Sequence, residues 1–177
     1  GLSRSGFKNG KDFCFPNSLP CSTFQSFLDT GTPLGGAEEE SSNVQTNILR
    51  AISQSKERGH DAMKECILID VDASQRHMSW KSGVSPCLTR SRYRGHWISN
   101  LNRRMSIHEM LRLQGIDPSK IKMTDSVADM GRLVGNSMSL NVAERVIYAM
   151  LTFTGIIPIH KIDRWKCFPL PELISKG

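Results

Sequence analysis

The run "SLNVAERVIYAMLTF" (Ser139–Phe153) constrains this chain more than any other stretch. Its spacing predicts a helix from about Ser139 to Phe153. Leu140, Val142, Ala143, Val146, Ile147, Ala149, Met150 and Leu151 place apolar side chains nearly all round it. A helix with so little polar face has to be covered on several sides. The rest of the chain offers few strands to do this. "CILIDV" (Cys66–Val71) reads as a short strand. Residues 72–100 read as an irregular antiparallel sheet with mobile connections, in which Gly83, Pro86 and Gly95 separate β-compatible pieces such as "CLT" and "HWI". The mismatch implies covering surface that these 177 residues do not supply. The run carries Glu144 and Arg145 and is too short to span a bilayer, so a soluble protein is expected.

The other segments are weaker. Residues 1–30 read as irregular chain with a short helix near "STFQSFLD", and residues 31–46, "GTPLGGAEEESSNVQT", as a linker of glycines, serines and an acidic run. Asn47–Arg58 reads as a helix with Ile48, Leu49 and Ile52 on one face and Gly59 as its stop. "MSIHEMLRLQG" is the clearest local signal. Ser106 with Glu109 three residues on is a capping box, Met105 and Met110 stand where a hydrophobic staple would be, and Gly115 suits a left-handed C-terminal position. Residues 117–133 read as a connection with one or two helical turns before Gly135. "LVGNSMSLN" then reads as punctuation before the apolar run, and residues 154–177 as a Pro-containing, mildly basic tail with no assigned role.

Length allows one domain with a small appendage. Five scattered cysteines (Cys14, Cys21, Cys66, Cys87, Cys167) form no Cys-x-x-Cys pair and no zinc-type spacing with His. Reduced thiols in an intracellular protein are therefore expected, and no metal site. "GLSRSGFKNGKDF" has no apolar signal core and no initiator Met, which leads us to expect a start inside a longer gene product. Net charge is +6, but its distribution says more. Between Arg76 and Arg104 stand Arg76, Lys81, Arg90, Arg92, Arg94, Arg103 and Arg104, with no Asp or Glu, and Trp80, Tyr93 and Trp97 are interleaved. Such a stretch can neutralise phosphates and stack rings on bases. It is equally a solvated basic face with its aromatics in the local core.

Three features follow in one order: "SPCLTRSRYRGHWI" (Ser85–Ile98), "RRMSIHEMLRLQGI" (Arg103–Ile116) and "MGRLVGNSMSLNVAERVIYAM" (Met130–Met150). This series resembles the C-terminal part of cytosine-5 DNA methyltransferases. That family has a Thr-Leu-Thr-like stretch, then Arg-x-Leu-x-x-x-Glu-x-x-Arg-Leu-Gln-Gly-Phe, then Gly-Asn-Ala/Ser before a C-terminal helix. Arg104, Glu109, Arg112, Leu113, Gln114 and Gly115 carry the second match, and Gly135, Asn136 and Ser137 the third. "KDFCFPNSLPCSTFQSFLD" looks like the segment after the family's sheet-closing strand, so the likeness covers roughly residues 11–153.

The resemblance implies an α/β fold (α+β for the piece alone): the C-terminal portion of an S-adenosylmethionine-dependent methyltransferase, with a small irregular recognition region and a returning helix. Residues 1–100 would be part of the target-recognition region, 101–130 a capped helix and hinge, 131–153 the returning segment of the catalytic domain, and 154–177 a tail. Gly135, Asn136 and Ser137 would line the S-adenosylmethionine site. Arg76, Lys81, Thr89, Arg90, Arg92, Arg94, Arg103 and Arg104 would meet double-stranded DNA. The family's Pro-Cys-Gln nucleophile, its Glu-Asn-Val and its Phe-x-Gly-x-Gly loop do not occur in this sequence. Pro20-Cys21 and Pro86-Cys87 lack the following Gln, so no catalytic residue is assigned, and the other partner expected is a catalytic N-terminal part. A eukaryotic member would work in the nucleus.

The chain departs from the family at Gly131, where an aromatic is usual, at Met138 and Ser139, where a Pro commonly stands, and at Ile116-Asp117 in place of Phe-Pro. Two other readings remain: a non-catalytic DNA-binding or scaffold module derived from the same family, and a generic basic α+β domain. A Pro-Cys-Gln upstream in the same reading frame would exclude the module.

Overall fold

The computed structural model describes residues 13–20, 22–29, 36–123, 126–158 and 163–167. Cys21, the first part of the expected linker and the end of the tail lie outside these residues. The centre is a short strand, β1 (Ile67–Ile69), buried along its whole length. It pairs antiparallel with β2 (Trp80–Ser82) on one side and β3 (Trp97–Ile98) on the other, and β3 pairs with β4 (Arg103–Arg104), giving the order β2-β1-β3-β4.

Side chains alternate across a strand, and here both faces are buried. Ile67 and Ile69 pack with Val44, Ile48 and Ala51 of helix α1 (Ser42–Glu57). Leu68 packs the other way, among Met110 and Leu111 of α2 (Ile107–Leu113) and Met130 and Val134 of α3 (Val127–Asn136). A three-residue strand thus joins two cores, which is why it carries no polar residue.

Helix α1 begins five residues before the expected Asn47, taking in the end of the supposed linker. Its buried stripe is Val44, Ile48, Ala51 and Ser55, spaced four, three and four apart. Leu49 lies one position, some 100° by the 3.6-residue period, off that stripe and is exposed, contrary to the expected face. Asn47 is buried because its Nδ2 donates to the Val71 and Ala73 carbonyls, both at 2.9 Å, pinning the chain that leaves β1.

The punctuation of α2 is as expected. Glu109 N donates to Ser106 Oγ at 3.2 Å, and Ser106 N donates to Glu109 Oε2 at 2.7 Å. At the other end Gly115 has φ +74°. Its amide donates to the Arg112 carbonyl and that of Ile116 to the Leu111 carbonyl, a complete Schellman closure. Met105 and Met110 are both buried.

Beyond α2 the chain is more helical than its sequence suggests. The expected connection contains all of α3 up to Leu133, capped by Ser126 Oγ on the Asp129 amide, so one helix crosses the boundary expected at 130/131. Gly135 and Asn136 therefore form the last residues of a helix, with Ser137 as its cap. Helix α4 (Leu140–Phe153) starts where predicted. Its first turn is tied to α2: Leu140 N donates to the Gln114 carbonyl and Ser139 Oγ to Gln114 Oε1, both at 2.7 Å.

No residue of α4 is buried among the described residues, and Val142 and Ile147 are each more than half exposed. Part of its surface lines an open groove with Phe13, Pro16 and Trp165. Further contacts come from the chain near residue 13 and from the tail. Phe13 meets Phe153 edge-on at 5.7 Å, Asp163 pairs with Arg145 at 2.8 Å, and Trp165 of α5 (Arg164–Cys167) is buried with its Nε1 donating to Glu144. No described helix is long and apolar enough to cross a membrane.

Candidate nucleic-acid interface and cofactor edge

The segment before α2 is organised by one carboxylate. Glu109 is fully buried. It accepts from the amides of Asp29 and Ser106, and from Arg103 through Nη1 at 2.9 Å and Nη2 at 2.6 Å. Arg103 is buried with it, and the hydrogen bonds it donates to Glu109 raise its pKa. Asp29 closes the network, accepting from Ser106 Oγ at 2.8 Å and Arg112 Nη2 at 2.6 Å. Burial raises the Asp29 pKa, but Arg112 and Ser106 outweigh it and leave it lowered. The arginine that reaches Glu109 is thus Arg103. Its guanidinium is sealed against that carboxylate and is 3% exposed.

Arg104 is engaged differently. It donates to Asp72 through Nη1 at 2.9 Å and Nη2 at 2.8 Å, to Glu40 through Nε at 2.6 Å, and to the Gly95 carbonyl. Burial works against its charge, yet Asp72 and Glu40 raise its pKa. Arg104 therefore knits β4 to the β1 exit and to the chain before α1. Arg92 pairs with Asp70 at 2.5 Å and Arg94 with Glu40 at 3.2 Å, the latter remaining about half exposed.

Arg76, Lys81 and Arg90 are exposed, and no ion pair joins them to another described residue. Thr89 is exposed beside Arg90, with its hydroxyl 3.1 Å from that of Ser91. The aromatics divide. Trp97 is core, Trp80 is half-buried under Arg58 at 5.2 Å, and Tyr93 lies under Arg132 at 4.5 Å. The neutralising acids Glu40, Asp70 and Asp72 all come from outside the basic stretch, which is why a reading of that stretch alone missed them. The "IDVDA" pattern after β1 was the available signal: two acids at period two share one side of an extended chain.

At the other edge, Gly135 presents its Cα to the Thr89 and Arg90 backbone and not to open space: a Cβ there would collide with the Thr89 carbonyl and lie 2.7 Å from Arg90 N. Asn136 is exposed, and its side-chain amide can offer two donors and an acceptor to a ligand. Ser137 Oγ donates to the Val134 carbonyl at 2.7 Å and keeps its lone pairs as acceptors.

Among the thiols, Cys66 is buried and burial pushes its pKa up to about 11, which makes it inert; Cys87 is exposed, and Cys21 lies outside the described residues. Burial also holds the His96 pKa below its ordinary value. Among the described residues no group of three or more His, Cys, Asp or Glu gathers as metal ligands.

A family model for C-5 cytosine-specific DNA methylase matches residues 20–152. No curated protein matches the chain closely enough to count as a relative. The matched span takes in the two-core sheet, the Glu109 network and all but the last residue of the apolar helix, and the chain belongs to the C-5 cytosine-specific DNA methylase family.

Proposed function

We propose that this chain is the C-terminal piece of a DNA (cytosine-5-)-methyltransferase, supplying DNA recognition and one edge of the S-adenosylmethionine site while the nucleophile stands in a separate N-terminal part. The observation that carries the reading is α4: fourteen residues, apolar nearly all round, none of them buried. A patch of that kind marks a surface built to be covered. The sequence itself lacks the Pro-Cys-Gln, Glu-Asn-Val and Phe-x-Gly-x-Gly motifs that the reaction needs. The cofactor, when bound, supplies the methyl group. Asn136 and Ser137 would hold one side of it. Arg76, Lys81 and Arg90, with Thr89, would meet DNA phosphates, and Arg94 would join them from its half-exposed position.

Duplex affinity of the 177-residue chain tests this reading. Each phosphate contact contributes a slope of about −0.9 in log affinity against log salt, so Arg76→Ala, Lys81→Ala and Arg90→Ala should each make the slope shallower by about that amount. The chain alone should transfer no labelled methyl group to DNA. A salt-independent affinity, or robust transfer by the purified chain, would overturn the reading. The alternative is a non-catalytic DNA-binding or scaffold module of the same family. It draws on Trp165 and Asp163, which already cover part of α4. A Pro-Cys-Gln upstream in the same reading frame would exclude it.

A further inference from the structure

Helix α3 does not rest on its neighbours through side chains alone. It lies backbone to backbone on the turn Thr89–Tyr93, and two glycines one helical turn apart make this possible. A Cβ added to Gly131 would collide with the Tyr93 carbonyl oxygen and sit 2.8 Å from its carbon. One added to Gly135 would collide with the Thr89 carbonyl oxygen and sit 2.7 Å from Arg90 N. All these obstacles are backbone, so no side-chain rotation can relieve them.

The turn is held on its other sides as well. The Arg92 amide closes it on the Thr89 carbonyl at 2.9 Å, Arg92 Nε is anchored to Asp70, and Arg132 of α3 covers the Tyr93 ring at 4.5 Å. The exposed Thr89 and Arg90 stand beside the Asn136–Ser137 end of α3, where Gly135 meets their backbone, and Tyr93 lies one helical turn away against Gly131. Gln114 braces that end, accepting from Leu140 N and Ser139 Oγ.

We propose that Gly131 and Gly135 are positioning residues which lock the DNA-facing Thr89 and Arg90 to the Asn136 edge as one rigid piece, so that DNA and cofactor are engaged in fixed register. The inference rests on the DNA-binding reading given above. It also gives Gly131, where an aromatic is the family's habit, a physical reason in this chain: the space a side chain would take is occupied by the Tyr93 backbone.

The test is anisotropy of a labelled duplex titrated with the 177-residue chain across a salt series. Gly131→Ala and Gly135→Ala should each weaken binding roughly tenfold. The salt slope should become shallower by about 0.9, the value for one lost phosphate contact. Adding Arg90→Ala to either variant should cause little further loss, because the same contact has already gone. Leu133→Ala, on the exposed face of α3, should change nothing.

Wild-type affinity and slope in both glycine variants, or losses fully additive with Arg90→Ala, would overturn the inference. A wild-type chain that fails to bind duplex would instead overturn the DNA-binding reading. Should the glycine variants fail to fold, hydrogen exchange on the wild-type chain decides. DNA should slow exchange across 131–135 together with 89–94, and protection confined to 89–94 would refute the coupling.

Discussion

Replacing Glu109 by Gln asks whether the segment before α2 depends on a single buried charge. Each carboxylate oxygen accepts twice: Oε1 from Asp29 N at 2.8 Å and Arg103 Nη2 at 2.6 Å, Oε2 from Ser106 N at 2.7 Å and Arg103 Nη1 at 2.9 Å. Gln keeps the shape but turns one oxygen into an NH2 group. Whichever way the amide sits, two of the four donors then face another donor, and the Arg103 guanidinium, 3% exposed, loses its counter-charge. Breaking a buried pair from one side costs about 3–5 kcal/mol. For a chain of this size that is a fall of about 6–20 °C in Tm. The double variant Arg103→Met/Glu109→Gln removes the orphaned charge and leaves one unsatisfied amide, worth about 1–3 kcal/mol. It should therefore be more stable than Glu109→Gln alone. Urea unfolding followed by tryptophan fluorescence at pH 7 measures both. A loss below about 1 kcal/mol for Glu109→Gln, or simple additivity of the two single variants, would refute the reasoning.

Two further outcomes follow from burial and exposure. His96 is buried against the Cys87 carbonyl, with Asp70, Asp72 and Arg92 around it, and burial depresses its pKa. The unfolded chain then binds the proton first, so stability should be full above the ordinary His value of about 6.5 and decline as pH falls through the lower folded value. His96→Gln, which can still donate to Cys87, should flatten the melting-temperature curve between pH 7 and pH 5; a wild-type curve already flat there would contradict the assignment. On α4, Val142→Gln with Ile147→Gln should leave the stability of the chain within about 0.5 kcal/mol, since neither side chain is buried, while reducing self-association in light scattering. A large destabilisation would mean that this face is covered within the chain itself.

The legible parts of the fold were those written in local spacing. The Ser106–Glu109 box, the Gly115 stop and the Ser139 start each depend on residues within one helical turn, and the structure realises all three. Helix α1 shows the limit. "SSNVQT" is polar enough to read as linker, yet Val44 sits four residues before Ile48 and is drawn onto the same strand. Burial against Ile67 and Ile69 overrides weak propensity, and that surface belongs to a different part of the chain. Helix α3 was hidden for a related reason. Gly131 and Gly135 lower helix propensity, and what they gain, a backbone seat for the Thr89–Tyr93 turn, is non-local.

What the sequence did not show of the candidate site is the pairing of its cations with partners far away in the chain. Seven cations without an acid between Arg76 and Arg104 look like a DNA-facing stripe. Folding brings Glu40 from 64 residues away and Asp72 from 32 onto Arg104, and Asp70 from 22 onto Arg92. The cations that stay exposed with no ion pair to another described residue are Arg76, Lys81 and Arg90, while the exposed Arg94 is reached by Glu40. Charge density along a chain therefore bounds the number of phosphate contacts from above, and internal pairing sets the number actually available. The Gly-Asn-Ser segment obeys the same logic. As sequence it is a turn that could cradle a ligand. In the fold Gly135 is consumed by packing on Thr89, and Asn136 is left as the exposed side chain beside it. A cofactor at this edge would be reached by a side chain held from behind by the Thr89–Tyr93 turn, which makes the turn and the edge one unit in both directions: whatever displaces Arg90 should also move Asn136.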